Sequence, residues 1–166
     1  MEIRKAMLKY VDTKIVFQEI PDEVTLAINI SNCPCQCKGC HSSYLAQDIG
    51  TELTFNEVRK LIKKNSGISC IAFMGGDSEP KRINALASFV TNHYQLKVAW
   101  YSGRQELSKD IEIRNFDAIK LGPYIEELGP LSSRTTNQRF YKVNDKELVD
   151  ITSRFYDRNL ETCSGI

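Results

Sequence analysis

The sequence predicts an α/β fold built as a partial, open parallel β/α barrel. Three observations lead there. Apolar, β-branched segments repeatedly end in glycine-bearing loops that open helices, and such strand, loop and helix units imply parallel strands joined by right-handed crossovers. The 166-residue chain is well short of the roughly 250 residues of a complete eight-stranded barrel, so any barrel must be incomplete. Glycines and polar residues gather after the C-terminal ends of the strands, where such sheets place their sites.

The elements follow in order. Lys14 to Ile20 alternates like an edge strand, and Pro21-Asp22 breaks it before Val24-Thr-Leu-Ala-Ile-Asn-Ile30, an apolar run suited to a buried strand. Leu53-Thr54 opens a helix: Thr54 can cap it, Glu57 sits three residues on as in a capping box, and Phe55, Val58, Leu61 and Ile62 share a face. Asn65 and Gly67 end it. Ile68 to Met74 is the next strand, closed by Gly75-Gly76-Asp77-Ser78-Glu79-Pro80 and followed by a helix from about Lys81 to His93. Leu96 to Tyr101 and Phe116 to Leu121 read as two more strands, with a short helix between them. The polar stretch Gly129 to Arg139 leads into a short strand, Phe140 to Val143, and a closing helix from Lys146 to Asn159, before a loose tail that carries Cys163.

Composition narrows the class. Residues 1–166 fit a single domain. The 22 basic and 21 acidic residues leave a formal charge of +1, which offers no general attraction to nucleic acid or to a membrane surface. No apolar run approaches the about 20 residues of a membrane span. The clustered cysteines and the lack of an apolar leader predict a reduced, cytoplasmic protein without a disulfide framework.

Four of the six cysteines fall in the run Cys33-Pro-Cys35-Gln-Cys37-Lys-Gly-Cys40-His41, directly after a predicted strand. Within it, Cys33, Cys37 and Cys40 form a C-x3-C-x2-C spacing that lets one loop place three thiolates around an iron–sulfur cluster, with Cys35 outside the trio. Electron-transfer clusters usually carry a cysteine on every corner. Three ligands leave one iron open, and an open position marks a site that binds something further. A tetrahedral zinc site of Cys33, Cys37, Cys40 and His41 is the competing reading of the same loop.

Downstream, Gly75-Gly76-Asp77 combines glycines, which let backbone approach a ligand closely, with a carboxylate that can accept hydrogen bonds from an ammonium group. Taken alone it is also an ordinary turn. A cysteine trio after the first core strand and a double glycine with an acid after the next resembles the radical S-adenosylmethionine enzymes. Within them, the chain is similar to the activating enzymes of anaerobic ribonucleoside-triphosphate reductase. The likeness rests on Gly39-Cys40-His41-Ser42, Phe73-Met74-Gly75-Gly76, Trp100-Tyr101-Ser102-Gly103, Lys120-Leu121-Gly122-Pro123 and Thr135-Thr136-Asn137-Gln138-Arg139, from about Ile28 to Val143.

The resemblance implies a 4Fe-4S cluster on Cys33, Cys37 and Cys40, and S-adenosylmethionine on its open iron, contacted by Gly39, Cys40, His41, Gly75, Gly76, Asp77 and Tyr101. It also implies reductive cleavage of S-adenosylmethionine to methionine and a 5′-deoxyadenosyl radical. That radical takes a hydrogen from a backbone glycine of the reductase, with electrons from a flavodoxin-like or ferredoxin-like donor. The chain departs from the pattern at Asp77, where glutamate is common, and at Gly39, where many relatives carry an aromatic residue. Glu79 could supply reach that Asp77 lacks, although its place beside Pro80 fits the first turn of the helix.

Other residues carry less. Tyr101, Ser102 and Arg104 could face an adenosine or pack locally. Cys70 reads as a packed thiol, and Arg134 and Arg139 as loop arginines able to bind acids or phosphate. Two further functions compete with the activase: radical chemistry on a small molecule or another glycyl-radical enzyme, and a zinc-binding interaction module.

Overall fold

The computed structural model describes residues 7–40 and 42–156. In chain order its strands are β1 (Lys9–Val16), β2 (Thr25–Ile30), β3 (Thr51–Glu52), β4 (Cys70–Met74), β5 (Lys97–Tyr101), β6 (Ala118–Leu121), β7 (Arg139–Asn144) and β8 (Glu147–Asp150). The helices are α1 (Phe55–Lys64) and α2 (Pro80–His93). All eight strands form one sheet in the order β3-β1-β2-β4-β5-β6-β7-β8.

Only the centre is parallel. The pairs β2–β4, β4–β5 and β5–β6 run parallel, whereas β1 pairs antiparallel with β2 and β3, and the β6–β7 and β7–β8 pairs are antiparallel. This overturns the expected partial β/α barrel. The protein is a mixed eight-stranded sheet with two α-helices among its described residues, too few to wrap a barrel.

Two local causes account for the difference. Between β5 and β6 the chain makes only a single 3-10 turn, Ile113–Asn115. Its backbone donors go to turn acceptors instead of a helical ladder: Asp110 N–H to Ser108 Oγ at 3.2 Å and Glu112 N–H to Asn84 Oδ1 of α2 at 2.9 Å. After β7 the expected helix over 146–159 is replaced by a hairpin, because Asp145 adopts φ 55° and reverses the chain between the paired residues Asn144 and Glu147. Residues 157–159 of that expectation, and Cys163, lie outside the described residues.

The core strands and the two helices read by apolar periodicity hold, whereas the edge strand expected from Lys14 to Ile20 lies earlier, at Lys9–Val16. Thr54 caps α1, accepting the Glu57 backbone N–H on its hydroxyl at 3.0 Å. The Glu57 carboxylate does not close a capping box. It accepts the Tyr10 hydroxyl at 2.6 Å, tying α1 to β1, and burial followed by this carboxylate pushes the Tyr10 pKa up to about 12. Replacing Thr54→Ala is expected to cost about 1 kcal/mol in chemical denaturation, the usual worth of a hydroxyl cap.

Burial is uneven across the sheet. The helix-covered face carries the main core, including Leu26, Ile28, Ile71, Phe73, Val98, Trp100 and Ile119 against Val58, Ile83, Leu86 and Val90. The opposite face carries a smaller cluster built from Cys70, Ala72, Ala99, Ala118 and Phe140, closed by Ile20 and Phe155. Cys70 is a fully buried thiol, as its sequence context implies. None of the four loop cysteines belongs to either cluster.

Strand register then sets the site. Asn29, Met74, Tyr101 and Lys120 pair in turn across β2, β4, β5 and β6, so the loops that follow these strands leave from one edge of the sheet.

Candidate iron–sulfur site

The first of those loops carries the cysteines. Its base is closed by the Ser31 N–H to Lys9 O at 2.9 Å, the Asn32 N–H to Gln47 O at 2.9 Å and the Cys33 N–H to Leu45 O at 2.8 Å, with Leu45 buried beneath. Positive φ at Gln36 and Gly39, and the Cys40 N–H to Cys37 O bond at 3.2 Å, fold the tip back. Cys33, Cys37 and Cys40 thereby line one cavity of about 230 Å³ together with Gln36, Ser42, Ser43 and Ala46.

That cavity brings the three cysteines of the predicted trio together. The three thiols share this lining with small and polar side chains, which leaves room beside the sulfurs for a group larger than one ion. His41, the fourth ligand of the zinc reading, lies outside the described residues.

Cys35 turns elsewhere. Its Sγ donates to Asp77 Oδ2 at 3.8 Å and packs on Gly103, where an added Cβ would lie 2.8 Å from the sulfur. Burial first, then the negative Asp77 and Cys33, push its pKa up to about 12 against the opposing pull of Arg104. Its bond to a carboxylate, and its absence from the lining of the cavity, set it apart from the other three loop cysteines.

The double glycine has structural work of its own. Gly75 and Gly76 both take positive φ, and a Cβ on Gly76 would meet Ile83 Cδ1 at 2.5 Å. The Gly75 carbonyl accepts the Trp100 indole N–H at 2.7 Å, and its N–H donates to Tyr101 O at 3.0 Å. Asp77 follows, only 8% exposed. Its Oδ1 accepts the Ser102 hydroxyl at 2.5 Å and its Oδ2 accepts the Gly103 N–H at 2.9 Å. A carboxylate offers about four lone-pair sites, so Asp77 braces the loop after β5 while keeping capacity for a further donor. Glu79 occupies the N-cap position of α2 without a side-chain cap bond.

Tyr101 is committed to packing: its hydroxyl donates to Glu19 O at 2.5 Å and its ring meets Phe140 edge-on. Arg104 is exposed and lines a second cavity of about 310 Å³ with Asp77, Trp100 and Glu106. The Thr135-Thr136-Asn137-Gln138-Arg139 segment packs inward. Thr136 and Gln138 are buried, the Asn137 amide donates to Pro123 O at 3.0 Å, and Arg139 reaches the Tyr156 hydroxyl at 3.3 Å.

Three residues escape sequence reasoning. Lys120, 8% exposed on β6, donates to Ser102 O at 3.2 Å and Gly122 O at 2.8 Å. Burial pulls its pKa down to about 8 despite the upward pull of Asp77, Cys37, Cys35 and Cys40. Its signal was a lysine inside an apolar strand. Glu126 and Tyr124 pack against Gly39, with a Cβ there only 3.3 Å and 3.4 Å from their side chains; no sequence signal marks that contact.

Comparison with known proteins agrees with the donor set. A family model described as a 4Fe-4S single cluster domain matches residues 24–139, a span that holds all four loop cysteines, Asp77 and Lys120. No curated protein and no solved structure matches the chain. No described helix is long and apolar enough to cross a membrane. The chain belongs to the 4Fe-4S single cluster domain family of iron–sulfur proteins.

Proposed function

We propose that the protein is a radical S-adenosylmethionine activase that installs a glycyl radical on anaerobic ribonucleoside-triphosphate reductase. The observation that carries the reading is the division of the cysteine loop. Cys33, Cys37 and Cys40 share one cavity, while Cys35 points to the carboxylate of Asp77. Three cluster ligands with an ammonium acceptor beside them suit an open iron that takes the amino-acid end of S-adenosylmethionine.

When bound, a 4Fe-4S cluster with an open iron supplies the single electron that splits S-adenosylmethionine into methionine and a 5′-deoxyadenosyl radical. The chain's residues do the rest. Cys33, Cys37 and Cys40 would hold the cluster. Asp77, fixed by Ser102 and Gly103, would orient the methionyl ammonium, and the backbone of Gly39 and Cys40 would border the cosubstrate. Gly75 and Gly76 let the chain pass close to it, and Tyr101 holds the β1–β2 connection in place behind it. This arrangement contributes by proximity and by excluding stray hydrogen donors.

The reductase is proposed from the sequence likeness, and the cysteine cavity on the loop edge of the sheet gives a protein substrate somewhere to dock. The electron comes from a flavodoxin-like or ferredoxin-like donor. A reducing cytoplasm is the compartment proposed for it, because clustered free thiols persist there.

The test is anaerobic incubation of the reconstituted protein with the reductase, S-adenosylmethionine and a reductant, followed by electron paramagnetic resonance. A glycyl signal on the reductase is expected. Cleavage of S-adenosylmethionine without that signal would move the assignment to another radical substrate. Protein that holds zinc but no iron or sulfide would reject radical chemistry altogether.

A further inference from the structure

Lys120 is a buried charge set among the loops of the cysteine site. In β6, Ile119 and Leu121 face the helix-side core, whereas Ala118 belongs to the cluster on the opposite face. Strand alternation therefore turns Lys120 to the Ala118 face, next to its β5 register partner Tyr101, whose ring centroid lies 5.9 Å from the ammonium.

The ammonium joins the loops of the site. Ser102, one carbonyl partner, is the residue whose hydroxyl holds Asp77. Gly122, the other, begins the loop whose Tyr124 and Glu126 pack on Gly39 between Cys37 and Cys40. An ammonium has three donors, and both of these acceptors are neutral. None of the ion pairs among the described residues involves Lys120. The groups whose negative charge acts on it are the buried Asp77 carboxylate, held by the same Ser102, and the loop cysteines Cys37, Cys35 and Cys40. A cluster on the cysteine loop would add negative charge to that set, next to a cation the fold already holds in place.

We propose that Lys120 is the built-in counter-cation of the cluster held by Cys33, Cys37 and Cys40, and that its charge sets how readily that cluster accepts an electron. The inference rests on the iron–sulfur reading of the loop. Net charge near a cluster is one of the protein's levers on its potential. Reduction adds negative charge, so a fixed cation favours the reduced state. A unit charge acting over ~10 Å through an effective dielectric of about 20 changes a one-electron equilibrium by roughly tenfold, or about 59 mV.

The experiment compares anaerobically reconstituted wild type, Lys120→Met and Lys120→Arg. Iron and sulfide are measured in each, and the clusters are titrated electrochemically with no S-adenosylmethionine present. The Lys120→Met cluster is expected to reduce at a more negative potential by roughly tenfold in its equilibrium constant, and Lys120→Arg to track the wild type. Equal potentials in all three proteins overturn the proposal, as does an arginine shift as large as the methionine shift. If Lys120→Met fails to retain a cluster that Lys120→Arg holds, the positive charge is again the requirement and the proposal stands. Failure of both variants to hold one overturns it, because shape and not charge would then be what the site needs. Wild-type protein lacking iron and sulfide would instead remove the iron–sulfur reading itself, and is told apart by that first assay.

Discussion

Cys37→Ala protein is expected to lose its 4Fe-4S cluster and all cleavage of S-adenosylmethionine, whereas Cys35→Ala keeps both. The two residues are neighbours in sequence and differ in where the loop sends them. Cys37 lines the cavity with Cys33 and Cys40; Cys35 lies against Asp77 and Gly103, where burial and the adjacent carboxylate raise its pKa. Removing one of three ligands leaves a cluster with two protein bonds on a half-buried loop, so iron and sulfide content should fall to background. Removing Cys35 trims a thiol from the Asp77 side of the site. Visible absorption, iron and sulfide analysis, and methionine release after reduction distinguish the outcomes. Cluster loss in Cys35→Ala with retention in Cys37→Ala would reverse the assignment.

Gly50→Ala is expected to lower stability by about 3 kcal/mol and to reduce cluster uptake, because strain there undermines the base of the cysteine loop. Gly50 takes φ 102°, and a Cβ would sit 2.2 Å from the Tyr10 carbonyl oxygen and 2.7 Å from its carbon. Those are backbone atoms of β1, paired with β3 at that point, so they cannot swing aside. The preceding residue, Ile49, accepts the Ser31 hydroxyl at 2.5 Å. Displacing Gly50 therefore loosens the closure that starts the loop toward Cys33. Gly67→Ala is the control. It has a similar φ of 94° but nothing within 4 Å of an added Cβ, so only the left-handed strain of roughly 1–2 kcal/mol applies. Urea denaturation compares the two; equal losses would show that backbone strain, and not the clash with β1, dominates at both sites.

The parts of this molecule that sequence makes legible are those set by near neighbours. Thr54, Phe55, Val58 and Leu61 specify α1 within a few turns, and the apolar run Cys70–Met74 specifies a buried strand without help from elsewhere. The cysteine spacing likewise marks its own loop. The flanks of the sheet are different. Leu148, Ile151 and Phe155 fall at helical spacing, yet a two-residue reversal at Asp145 and pairing with β7 turn the first of them into strand; a periodic pattern of so few residues does not decide between the two. The crossover between β5 and β6 depends on Asn84, 28 residues earlier, accepting the Glu112 N–H. The site shows the same limit. Asp77 is visible as an acid after two glycines, but its bonds to Ser102 and Gly103 span 25 and 26 residues. The environment of Lys120 depends on Ser102, 18 residues away.

Neither hydrophobic cluster includes Cys33, Cys35, Cys37 or Cys40, and the loop that carries them is closed at its base by hydrogen bonds from its own backbone. The scaffold therefore does not depend on its inorganic cargo, in contrast to small zinc domains that unfold when stripped. Exposure to oxygen that destroys the cluster would leave an intact, folded apoprotein. An apoprotein that stays folded would take up fresh iron and sulfide without passing through the unfolded state, provided that its loop thiols are still reduced.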